Sequence, residues 1–99
     1  MKVQNYRFFQ TIAAFDFVEE IILYGKRAGD YPESEPPAEI NLAVSCPNAS
    51  ELEWREILET IDDQADPHLK IDCIRFDELP EDSALRHKIE SEGIIILEK

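Results

Sequence analysis

The chain has 99 residues, of which 43% are hydrophobic and 32% charged, with a formal net charge of −12. That length and mixture fit one small soluble domain spanning 1–99, and no apolar run approaches the roughly 20 residues needed to cross a bilayer. So acidic a chain repels a phosphate backbone, which excludes free DNA or RNA as an expected ligand and leaves a basic protein partner compatible with the charge.

In chain order, residues 5–14 place Phe8, Phe9 and Ile12 on one helical face, with Ala13 beside them, predicting a short first helix. Val18 to Tyr24 is too short and too isoleucine-rich for a helix and stops at Gly25, predicting a buried strand. Gly29, Pro32, Pro36 and Pro37 then prevent any regular element, so 27–38 reads as a loop. From Glu39 to Val44 the apolar residues Ile40, Leu42 and Val44 alternate with Glu39, Asn41 and Ala43. That period of two is a strand, and it puts Glu39 and Asn41 on one face.

Ser50 and Glu53 have the spacing of a capping box, followed by an apolar stripe of Trp54, Ile57, Leu58 and Ile61, so a helix starts here and is broken between Asp63 and Pro67. Leu69 to Phe76 reads as a third strand with Asp72 among apolar neighbours. Asp77 to Pro80 turns the chain, Ser83 to Ser91 forms a last helix with Leu85 and Ile89 inward and Gly93 as its stop, and Ile94 to Leu97 closes as a strand. The order argues for an α/β (α+β) fold in which a small mixed β-sheet carries its helices on one face.

Cys46 and Cys73 lie in strand-like apolar contexts without metal-ligand spacing, and read as buried free thiols. His68 and His87 have no partners at triad spacing and read as surface residues. The first residues, Met1 to Arg7, lack the apolar core of an export signal, so a cytoplasmic location is expected. On spacing alone, Glu39 and Asn41 fit the solvent face of an edge strand, and Asp72 fits a pairing with Lys70 or Arg75.

An apolar run ending in Gly25-Lys26-Arg27, a loop, and Glu39-x-Asn41 inside a second apolar run resemble the Gly-Ser-Arg and Asp-x-Asp signature of the minimal nucleotidyltransferases. Asp72 falls where that family has a third aspartate, and the end of the chain, a short helix before a closing strand, is also similar to family members. The resemblance spans about 18–97 and implies a nucleotidyltransferase-like fold, with Glu39, Asn41 and Asp72 in the catalytic positions, Gly25, Lys26 and Arg27 binding the phosphates of ATP or another NTP, and Glu39 and Asp72 as metal ligands. It also implies a protein partner of HEPN ribonuclease type, which family members neutralise as antitoxins.

The departures bear directly on chemistry. Lys26 stands where the family has serine, Glu39 and Asn41 replace two aspartates, and the loop between them is longer. A carboxylate about 4 Å from a cation contributes roughly 4 kcal/mol per unit of cation charge at an effective dielectric near 20. Losing it at Asn41 leaves at most one weakly held Mg²⁺, so transferase activity is expected to be weak or absent and neutralisation to proceed by contact. Lys26 beside the acids suggests a metal-free site as well. The alternative reading is an active Mg²⁺-dependent transferase that moves a nucleoside monophosphate to the partner, with Asp72 as general base.

Overall fold

The computed structural model describes residues 3–25 and 39–99. Lys26, Arg27 and the expected loop at 27–38 lie outside the described residues. A turn of 3-10 helix, Val3–Asn5, leads into helix α1 (Arg7–Ala13), strand β1 (Glu20–Tyr24), strand β2 (Glu39–Ser45), helix α2 (Glu51–Gln64), strand β3 (Lys70–Arg75), helix α3 (Ala84–Glu92) and strand β4 (Ile94–Glu98). Among the described residues no helix is long and apolar enough to cross a membrane.

The strands form one sheet in the order β3-β2-β1-β4. β1 pairs antiparallel with both β2 and β4, whereas β2 and β3 run parallel, so the sheet is mixed as expected. Parallel neighbours need a long crossover, and α2 supplies it between β2 and β3.

Strand periodicity explains the core. Ile21 and Leu23 of β1 and Ile40, Leu42 and Val44 of β2 point to one face, where they meet Phe8, Phe9 and Ile12 of α1 and Ile57 and Ile61 of α2. Helices α1 and α2 thus form the predicted helical layer on one side of the sheet. Burying aliphatic side chains of this size stabilises by about 1.5–3 kcal/mol each, before the entropy of ordering is set against it. The opposite pleat carries Ile22 and Ala43, and there only a smaller cluster forms, completed by Phe76 and by Ile89 of α3.

Both longer helices begin as their sequences require. Ser50 Oγ accepts from the Glu53 amide at 3.2 Å while the Ser50 amide donates to Glu53 Oε1 at 2.8 Å, a complete capping box at the start of α2. Ser83 Oγ accepts from the Arg86 amide at 3.3 Å and caps α3. At the other end of α2 the Thr11 hydroxyl donates to Gln64 Oε1 at 2.7 Å, tying it to α1.

Two expectations about packing need correction. Leu58 and Leu85, expected inward, are 37% and 38% exposed. In α2 the buried stripe is narrower than the periodic one: Ile57 and Ile61 fill it, Trp54 packs against its edge, and Leu58 lies one position round the helix from Ile57. In α3 only Ile89 reaches the sheet. Gly93 ends α3 as expected, with an extended backbone at φ −72°. Its small size is what matters, because a Cβ there would lie 2.4 Å from Ile89 O and 2.5 Å from Ile22 Cγ2.

Candidate functional site

The pleat that buries Ile22 also carries Tyr24, Glu39, Asn41 and Asp72. β1 and β2 pair with Tyr24 opposite Asn41, and β2 and β3 pair with Asn41 opposite Asp72. One row therefore crosses three strands: Tyr24, Asn41, Asp72. Glu39 lies two residues before Asn41 on the same face, with Lys70 as its register partner on β3. Glu39 and Asp72 are exposed and Asn41 and Tyr24 half-buried, so the row is open to solvent.

Gly25 shapes one end of the row. It follows β1 with φ +104°, a conformation that L side chains rarely adopt, and a Cβ at this position would lie 2.5 Å from Asn41 Nδ2. The turn thus brings backbone directly against the Asn41 amide, and only glycine combines that backbone angle with that proximity. Of the six residues predicted for the site, the structure brings Gly25, Asn41 and Asp72 together and sets Glu39 beside them; Lys26 and Arg27 lie outside the described residues.

Electrostatics ties the members together. The Tyr24 phenol is held above its ordinary value by burial first, then by the negative charge of Asp72 and, less strongly, that of Glu39. Both carboxylates therefore act on the same hydroxyl. Tyr24 was not among the predicted site residues, although the period of two counted back from the glycine turn would have put it on the Ile22 face.

The donor set here is two carboxylates, an amide and a phenol. Oxygen donors of this kind are the type that suits a hard divalent cation, and only two of them, Glu39 and Asp72, carry charge. Among the described residues no group of three or more His, Cys, Asp and Glu side chains is placed to hold a metal. When bound, a cation at this position would draw charge from phosphate oxygens.

Arg75, a sequence candidate for pairing with Asp72, is committed elsewhere. Its Nε donates to Asp77 Oδ2 at 3.0 Å, and its Nη2 donates to Cys46 O and Ala49 O, each at 2.9 Å. Asp77 Oδ1 accepts from the Cys46 amide at 2.8 Å. Burial would lower the Arg75 pKa, but the hydrogen bond and charge of Asp77 outweigh it and the net shift is upward. This cluster clamps the end of β3 to the segment between β2 and α2, and so fixes the register that sets Asp72 beside Asn41.

The thiols take no part. Cys46 is fully buried and its thiol is pushed up to about 11, mainly by burial. Cys73 is half-buried rather than buried, and burial pushes it up to about 12. Neither carries a useful fraction of thiolate near neutral pH.

Comparison of the chain with models of known protein families finds no match. Comparison with curated proteins finds none either.

Proposed function

We propose that this chain is a nucleotidyltransferase-fold protein whose metal site has lost charge, and that it acts in the cytoplasm as an antitoxin-like binding partner of a HEPN-type ribonuclease. Support comes from one juxtaposition: Asn41 stands in register with Asp72, beneath a positive-φ Gly25 that follows the preceding strand. In the family that this chain resembles, the carboxylates share a strand face beside a glycine turn and hold metal against the phosphate oxygens. The shared face of Glu39, Asn41 and Asp72 beside Gly25 supports this reading. The charge there does not match the chemistry, because Asn41 contributes an oxygen without a charge between Glu39 and Asp72.

Contact neutralisation follows from what remains. A chain of net charge −12 attracts the basic groups that a ribonuclease uses to hold its substrate, so association should be fast and should weaken steeply with salt. ATP or another NTP bound without turnover is compatible with this role, with Gly25, Lys26 and Arg27 as its phosphate contacts.

A second reading is favoured by the shared face of Glu39, Asn41 and Asp72. In an active transferase these residues would hold one Mg²⁺, and Asp72 would accept the proton of the attacking hydroxyl. One experiment separates the two. The chain is incubated with labelled ATP, Mg²⁺ or Mn²⁺, and the protein encoded beside it. The binding role predicts a stable complex and an unlabelled neighbour; label that disappears in Asp72→Ala would establish catalysis, and neither complex nor label would refute both.

A further inference from the structure

A groove of about 260 Å³ opens on the sheet face opposite the main helices, floored by Ile22, Phe76 and Ile89 and bordered by Gly93 and Ile95. It is smaller than the roughly 300–1,000 Å³ of pockets that enclose a whole small molecule, so its size suits one or two apolar side chains. Ile95 stands at its lip 53% exposed, a large apolar side chain left in water.

The rim is acidic. Glu20 and Glu90 line the groove, and Glu98 is the register partner of Glu20 across β1 and β4. Burial and the facing Glu98 both hold the Glu20 carboxyl above its ordinary range. Arg86 reaches Glu90 at 3.3 Å, but the Lys99 ammonium, adjacent in sequence to Glu98, is turned away to Phe15 O at 2.9 Å. A second copy of so acidic a chain would bring carboxylates against carboxylates here, and complementarity requires cations instead.

We propose that this groove is a protein-docking site that takes an apolar side chain of a partner segment flanked by lysine or arginine. The apolar anchor would cover Ile95 and fill the floor, while the flanking cations meet Glu20 and Glu98. Tyr24 packs against the same cluster as Ile22, so the groove lies on the same sheet face as the row that leads to Asp72. The docking chemistry is nonetheless independent of any nucleotide, and the test uses none.

The test is an amide NMR titration of the full chain with a peptide of four lysines flanking two leucines. Controls replace its leucines by serine or its lysines by glutamate. Shifts should concentrate at the amides of Ile22, Ile89, Gly93 and Ile95, and the serine and glutamate peptides should bind at least about tenfold more weakly. Ile95→Ser, a change at an exposed position, should weaken the leucine peptide by a similar factor, and Glu20→Gln with Glu98→Gln should weaken it and flatten its salt dependence. Equal binding of the serine peptide, shifts spread over the acidic surface, no binding at all, or sedimentation as a dimer that buries Ile95 would each overturn the proposal.

Discussion

Gly25 and Asn41 are packed so closely that the first carbon of any side chain at position 25 would lie 2.5 Å from Asn41 Nδ2, at a backbone φ of +104°. The turn and the amide therefore cannot be altered separately. Gly25→Ala should lose about 1–3 kcal/mol, from backbone strain together with displacement of the Asn41 side chain. Urea unfolding reads the first effect. Calorimetric titration with ATP reads the second, with heat reduced in the variant if the parent binds; an unchanged unfolding midpoint would show that the turn is not held as described.

The Arg75 cluster makes a sharper prediction. Side-chain exposures of 9% for Arg75 and 16% for Asp77 put this ion pair inside the protein. Asp77→Ala leaves a largely buried guanidinium with only the exposed Glu78 carboxylate, at 3.8 Å, and the Cys46 amide without its acceptor, and should cost about 1.5–3 kcal/mol. Arg75→Lys should recover little, since one ammonium cannot reproduce the planar fork that reaches Asp77, Cys46 O and Ala49 O together. Denaturant midpoints of the two variants measure this, and a loss below about 1 kcal/mol in both would contradict the clamp.

Glu20 gives the fold a pH dependence of unusual sign. Its folded pKa is raised above the ordinary 4.5 by burial and by Glu98, so between the two values the folded state holds more proton than the unfolded one. Stability from this group is then present below the unfolded value and falls as pH rises through the raised folded value. Glu20→Gln should therefore melt at a higher temperature than the parent near pH 7, with the difference closing as the pH drops below about 4. A variant that melts lower at neutral pH would show that Glu20 makes a favourable contact as an anion.

The local features of this fold were legible in the sequence. Alternation between 39 and 44 correctly put Glu39 and Asn41 on one face, and the Ser50 and Glu53 spacing announced the start of α2. The non-local ones were not. Period two restricts a strand's register to steps of two residues, and which step sets Asp72 rather than Lys70 beside Asn41 depends on the α2 crossover and on the Arg75 clamp, both of which join distant segments. The same limit explains Leu58 and Leu85, because a periodic stripe records which side of a helix can be buried and not how far its neighbours extend over it.

Because β1 is central, its two edges are satisfied at very different moments in synthesis. β2 follows soon after it, but the residues that cover its other edge run only from Ile94 to Glu98. Until those residues leave the ribosome, Glu20 to Tyr24 presents a row of unmatched amides and carbonyls backed by isoleucine, a template for pairing with another nascent chain. A message broken before the codon for Ile94 would thus yield a sticky product, not a merely shortened one.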